Sequence, residues 1–171
     1  MFGSQLSFIM DALNILYADL ISKTNLSHED FEQFKTFLNF KSISKNDYLL
    51  RRGEKARSMA FVTEGVMCTF SVDEKGERHV IQIALQNHWI TDLFSLFSET
   101  PSNYNIQAVE PAEVILLSKD SFEAACQKLP VLERYFRLLI QNGYVNSQKR
   151  ISGIYSNSVE DRYMELIRNN Q

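Results

Sequence analysis

The chain has 171 residues, 44% of them hydrophobic and 23% charged, with a formal net charge of −3. This length suits one domain, or one domain and a fragment of a second, and the composition is that of a globular chain that buries a core without metal or disulfide support. The negative balance excludes a global attraction to nucleic acid or to an anionic membrane. Cys68 and Cys126 both sit in apolar stretches and are read as reduced, buried thiols of a cytoplasmic protein rather than as a disulfide framework. No apolar run approaches the ~20 residues of a membrane-spanning helix. The apolar N-terminal stretch is broken by Asp11 and Asp19 and meets its first basic residue at Lys23, which is not the layout of a secretory signal.

In chain order, Ile9, Leu13, Leu16 and Leu20 fall on one face of an amphipathic helix. Ser27 is an N-cap candidate with Asp30 three residues on, and Leu26 and Phe31 have the spacing of a hydrophobic staple. Phe31, Phe34 and Leu38 continue that second helix as a buried stripe. From Asp47 the period changes to two. DYLLRRGEKARSMAFVTEG reads as a strand, a turn at Gly53 and a second strand closed by Gly65. In VMCTFSV, Val66, Cys68, Phe70 and Val72 alternate with Met67, Thr69 and Ser71, the pattern of a half-buried strand. DEKG is a hairpin turn; after it Ile81, Ile83 and Leu85 share one face and Val80, Gln82 and Ala84 the other. Residues 90–108 read as a short helix, a polar loop and the start of the strand YNIQAVE, followed by a turn at Pro111 and AEVILLS. Short strands punctuated by Gly and Pro predict a small barrel or jelly roll.

The remainder is helical. KDSFEAACQKL forms one helix, and Pro130 starts a second of about 25 residues, nearly 40 Å long at ~1.5 Å per residue. Leu132, Tyr135, Phe136, Leu139, Gly143, Asn146, Ile151 and Ile154 lie roughly along one stripe. Such a stripe covers the barrel or faces a second copy of itself; a glycine and an asparagine in it permit close approach and fix register, which favours a homodimer seam through Leu132, Tyr135, Phe136, Leu139, Gly143 and Asn146. Ser158, with Asp161 at the third helical position, opens a last helix, so 1–155 is expected to be one domain and 156–171 the start of another.

Two leading helices, a roll punctuated at Gly53, Gly65 and Gly76, the inserted segment Trp89 to Ala108, a long trailing helix and the stretch VEDRYMELI at 159–167 together resemble the N-terminal sensor domain of the Crp/Fnr family of bacterial transcription regulators. The resemblance spans almost the whole chain. It implies an α+β fold: a double-stranded β-roll of the cyclic-nucleotide-binding type with flanking helices, and a long C-terminal dimerisation helix. It further implies a cytoplasmic homodimer and a DNA-reading helix-turn-helix beyond these residues.

In the family's nucleotide-binding members, backbone N–H groups at the start of the short helix meet the cyclic phosphate and an arginine neutralises it. An acid at the helix start takes the ribose hydroxyl, and a glycine before that acid lets the backbone approach. Carried over, the cradle residues are Thr91, Asp92, Leu93, Ser102 and Asn103. Thr91 stands at the glycine position, Asp92 at the acidic one, and Ser102 and Asn103 at those of the arginine and the serine after it. No Lys or Arg occurs from His79 to Ser118. A buried phosphate without a cation is poorly compensated, so this chain is expected to lack the usual cyclic-nucleotide phosphate chemistry, and Leu93, Phe94, Leu96 and Phe97 are expected to plug the roll.

Enzymatic readings find no support in the residues. A metal-dependent cupin needs two histidines one residue apart on a strand, whereas His28, His79 and His88 stand alone. Two cysteines are too few for a four-thiolate cluster. The expectation is a non-enzymatic sensor with no cofactor or metal and an unidentified small-molecule effector. The alternative is a stand-alone module of the same fold that binds a small ligand or a protein partner.

Overall fold

A computed structural model describes residues 2–156. Helix α1 (Phe2–Lys23) buries Ala12, Leu16 and Leu20, and α2 (His28–Lys35) buries Phe31 and Phe34. The cap of α2 is the capping box expected from Ser27 and Asp30: the Asp30 N–H donates to Ser27 Oγ at 3.0 Å, and the Asp30 carboxylate accepts from the Ser27 N–H. Leu26 and Phe31, the two ends of the expected staple, are both 5% exposed, and the Phe31 ring lies 4.7 Å from that of Tyr17 on α1.

The strands are β1 (Leu38–Ile43), β2 (Tyr48–Leu50), β3 (Ser58–Glu64), β4 (Met67–Val72), β5 (Arg78–Ala84), β6 (Trp89–Ile90), β7 (Asn105–Ala108) and β8 (Ala112–Ser118). They form two four-stranded antiparallel sheets, β1-β8-β3-β6 and β2-β7-β4-β5. The short helix α3 (Leu93–Ser98) is inserted between β6 and β7, and α4 (Lys119–Lys128) and α5 (Pro130–Ser156) close the described chain. This is the β-roll expected from the sequence. Its interior is apolar and drawn from both sheets: Ala60, Val62, Ile90 and Val114 from one, Met67, Ala84, Ile106 and Ala108 from the other.

Four local expectations are corrected. Leu38 does not extend the helical stripe; it opens β1, where it lies opposite Leu117 in a six-residue pairing with β8. Strand β4 is buried on both faces rather than one, because its outer face is also covered: the Arg78 guanidinium sits 4.5 Å over the Phe70 ring and donates to Gln107 Oε1 at 3.0 Å. Strand β5 does not keep Val80 on one face with Gln82 and Ala84: Val80 is 59% exposed while Ala84 is buried. Its register against β4 shifts between Thr69 and Phe70, opposite Gln82 and Val80, and this bulge moves Val80 off the face that Gln82 and Ala84 share. Nor does α3 plug the roll with four apolar side chains: Leu96 is buried, but Leu93, Phe94 and Phe97 are 39%, 70% and 40% exposed.

The chain divides into two compact units, one up to Leu132 and one from Glu133 onward. Of the expected seam residues, Leu132, Tyr135 and Phe136 are buried within the single chain, Leu139 is half-buried, and Gly143 and Asn146 are exposed. The helix expected from Ser158 lies outside the described residues, and so does nearly all of the segment 156–171. No helix among the described residues is long and apolar enough to cross a membrane.

The turn after β3 depends on Gly65. Its φ is +82°, and a Cβ there would lie 2.1 Å from the Pro111 carbonyl oxygen, so both the backbone conformation and the space exclude a side chain. Gly76 has a similar φ of +83° but open space around it. Gly76→Ala is expected to cost about 1 kcal/mol, from backbone strain alone. Gly65→Ala is expected to cost more than about 3 kcal/mol, because the overlap with backbone adds to the strain, and thermal unfolding of the two variants separates these effects.

Candidate functional site

The inserted segment folds around Asp92, the N-cap of α3. Its Oδ1 accepts from the Ser95 N–H at 3.1 Å, and its Oδ2 accepts from Ser102 Oγ at 2.6 Å. All three residues are buried: Asp92 is 6% exposed, Ser102 2% and Ser95 0%. Ser102 Oγ in turn accepts from the Tyr104 N–H at 3.0 Å. Helix α3 ends on Glu99, in the left-handed conformation at φ 58°, which turns the chain back so that Ser102 meets Asp92. A hydrogen bond from Lys119 holds the Glu99 carboxyl below its ordinary pKa, with help from the charges of Lys119 and Lys55.

A second segment, the loop from Arg51 to Arg57 between β2 and β3, grips this cradle through its backbone. Gly53 N–H donates to the Ser102 carbonyl and Ser102 N–H donates to the Glu54 carbonyl, both at 2.8 Å. Ala56 N–H donates to Ser95 Oγ at 2.9 Å, and the same hydroxyl donates to the Thr100 carbonyl at 2.6 Å. Arg52 N–H donates to Asn105 Oδ1 at 3.0 Å.

Of the five predicted cradle residues, the fold therefore brings two into contact, Asp92 and Ser102. Thr91 turns toward β3, where its hydroxyl donates to the Ser58 carbonyl at 3.1 Å. Leu93 and Asn103 face solvent. Sequence reasoning missed Ser95, the buried hydroxyl that joins α3 to both loops, and missed the whole contribution of 51–57. The only signal for that loop was its basic run RRGEKAR, which says nothing of what its N–H groups bond.

The sequence profile of the family described as "Cyclic nucleotide-binding domain" matches residues 40–129, just over half of the chain. The chain belongs to this family. The domain is also similar to an anaerobic regulatory protein of Pasteurella multocida (strain Pm70), 23% identical over 145 residues that cover 84% of this chain and 52% of the relative. The chain thus spans about half the length of that curated relative. Among solved structures, the fold matches the catabolite activator protein of Thermus thermophilus at TM-score 0.67 and 14% identity, over 77% of this chain and 61% of that one. It also matches the sensor domain of the transcriptional regulator DNR from Pseudomonas aeruginosa at TM-score 0.62 and 18% identity, over 85% and 95%. These likenesses agree with the Crp/Fnr resemblance drawn from the sequence.

The fold qualifies the cation deficit that the sequence suggested. No Lys or Arg lies between His79 and Ser118, yet the loop that grips the cradle carries Arg51, Arg52, Lys55 and Arg57, all exposed. Two of these side chains are engaged elsewhere. The Arg51 guanidinium stacks 3.9 Å over the Tyr48 ring, and Arg52 Nη1 donates to the Val72 carbonyl at 3.3 Å. The domain thus places cations on the rim of the cradle while Asp92 inside it is bonded to protein groups.

Other polar clusters of the domain lie elsewhere. At the β4–β5 hairpin, ligating atoms of Asp73, Glu77 and His79 lie within 4.8 Å of one another, and all three residues are exposed. Asp73 Oδ1 accepts the N–H groups of Lys75 and Glu77 at 2.9 Å and Oδ2 contacts His79 Nε2 at 2.8 Å. The hydrogen bond with His79 is the largest of the effects that hold the Asp73 carboxyl below its ordinary pKa. Burial pushes the Cys68 thiol up, partly opposed by the charge of Arg78.

Ser102→Ala removes a donor from a buried carboxylate and is expected to destabilise the domain by about 1–3 kcal/mol. Asn103→Ala next to it, at an exposed position, is expected to stay within about 0.5 kcal/mol of the parent. Denaturant unfolding of both variants checks this.

Proposed function

We propose that this chain is the sensor and dimerisation domain of a Crp/Fnr-like transcription regulator, non-enzymatic and cytoplasmic, whose cradle does not use cyclic-nucleotide phosphate chemistry. The observation that carries this reading is the 2.6 Å contact from Ser102 Oγ to Asp92 Oδ2. The acid that would take a ribose hydroxyl already accepts a hydroxyl from its own chain. The residue at the position of the phosphate-binding arginine is a serine, buried and tied to Glu54 and Gly53 on its backbone side. A cyclic phosphate entering here would break these bonds and meet a carboxylate with no cation in contact, and desolvating an unpaired anion costs several kcal/mol.

Signal output is assigned to α5. Beyond Phe136 the helix exposes Ile140, Tyr144 and Ile151 at 44%, 65% and 46%, spaced four and seven residues apart along one side. Gly143 lies next to this line, and a Cβ there would meet nothing within 4 Å of its own chain. A second copy packed across this stretch would bury the exposed apolar surface. An effector that distinguishes two arrangements of the paired helices would then bias the DNA-reading modules of the whole regulator, because a ligand shifts a two-state equilibrium only through its differential affinity.

Two measurements test the reading. Isothermal titration with cyclic AMP and with cyclic GMP is expected to give no heat of binding at micromolar concentration; micromolar affinity for either would overturn the closed-cradle assignment. Gly143→Trp is expected to lower the sedimentation mass toward that of a monomer with helical circular dichroism unchanged. An unchanged mass would place the interface elsewhere.

A further inference from the structure

Three metal-ligating side chains converge at the β4–β5 hairpin, away from the cradle. His79 stands alone in the sequence, with no second histidine near it, but it does not stand alone in space. One ligating atom each from Asp73, Glu77 and His79 lies within 4.8 Å of the others, and all three side chains are open to solvent. Among the described residues, no Lys or Arg forms an ion pair with any of the three. The Glu77 carboxylate has no hydrogen-bond partner among those residues either.

The backbone of the hairpin holds this set in place. Asp73 N–H donates to the Glu77 carbonyl and Gly76 N–H to the Asp73 carbonyl, both at 3.1 Å. Asp73 Oδ1 accepts the N–H groups of Lys75 and Glu77 at 2.9 Å. That anchorage leaves Oδ2 aimed at His79 Nε2, 2.8 Å away. Hydrogen bonds of this kind, behind a carboxylate, are what orient the ligands of a metal ion. His79 is placed by the sheet itself, directly across from Ser71 on β4.

We propose that Asp73, Glu77 and His79 bind a divalent cation of the zinc class. The imidazole separates this set from an ordinary group of surface acids. A ring nitrogen suits zinc, nickel or copper, whereas magnesium and calcium prefer oxygen alone. Calcium also takes six to eight oxygens, and this hairpin offers two carboxylates. Three protein ligands leave the fourth tetrahedral position to water. With zinc–ligand bonds of ~2.0–2.1 Å, two ligating atoms of a tetrahedral shell sit about 3.3 Å apart. The cation therefore takes the place of the proton between His79 Nε2 and Asp73 Oδ2, and these exposed side chains open by about half an ångström to admit it. The site rests neither on the closed cradle nor on the α5 seam.

Isothermal titration of the full chain with zinc chloride tests this. Wild type is expected to take up one equivalent with micromolar affinity. His79→Ala and Glu77→Gln are each expected to weaken binding more than about tenfold. Two controls are expected to bind as wild type does: Glu74→Gln, in the same turn, and His28→Ala, which removes the other surface histidine–carboxylate pair, His28 with Glu32 at 3.6 Å. Glu77→Gln breaks no protein contact, so its Tm in EDTA is expected to match that of wild type, and its lost affinity then reports the site and not the fold. Cobalt chloride is expected to give the visible bands of a four-coordinate ion in wild type and none in His79→Ala. Zinc binding that appears only at millimolar concentration, or with equal affinity in wild type, His79→Ala and Glu77→Gln, would mean an adventitious ion only and would overturn the assignment. A loss confined to His28→Ala would place the ion on α2 and overturn it too. Calcium or magnesium binding as tightly as zinc would overturn the choice of metal.

Discussion

A single buried carboxylate organises the inserted segment. Asp92 is nearly inaccessible, and a buried carboxyl group is tolerable only when its oxygens are met by hydrogen-bond partners. Ser95 N–H and Ser102 Oγ supply them. Meeting that requirement fixes the start of α3, the left-handed turn at Glu99 and the return of the chain through Ser102, and it commits the 51–57 loop through Gly53, Glu54 and Ala56. The start of α3, the return through Ser102 and the remote 51–57 loop are thereby held together by hydrogen bonds that converge on two serines and one acid. Protein groups thus meet both oxygens of this acid.

The roll separates two kinds of interior. Near α3 it is polar and fully committed. Between the sheets it is apolar except for Thr69 and Gln82. The exposed Leu93, Phe94 and Phe97 have a related origin: α3 is only six residues long and anchors through Ser95 and Leu96, so the rest of its surface lies outside the core.

Local sequence rules succeeded where the determinants lie a few residues apart. The capping box of Ser27 and Asp30, the Asp73–Gly76 hairpin and the Gly65 turn all appear as the residues require, and the ordered spacing of these turns was enough to recognise the roll. Rules of periodicity failed where a distant partner decides. Leu38 continues a helical stripe on paper but forms β1 because β8 offers a six-residue pairing. Val80 shares a face with Gln82 and Ala84 on paper until the shift against β4 moves it off. Strand β4 reads as half-buried until Arg78 covers the Phe70 ring.

The sequence alone determined the class of fold, the order of its elements, the acid at the start of the inserted helix and the lack of a cation in the segment around it, because each of these is written in local composition and spacing. Only the tertiary structure decided that Asp92 and Ser102 satisfy each other and that a basic loop from about fifty residues earlier rims the same cradle. Those are properties of through-space pairing and of burial. Neither is encoded at any single position: both arise when strands distant in the chain are laid side by side and water is removed from between them.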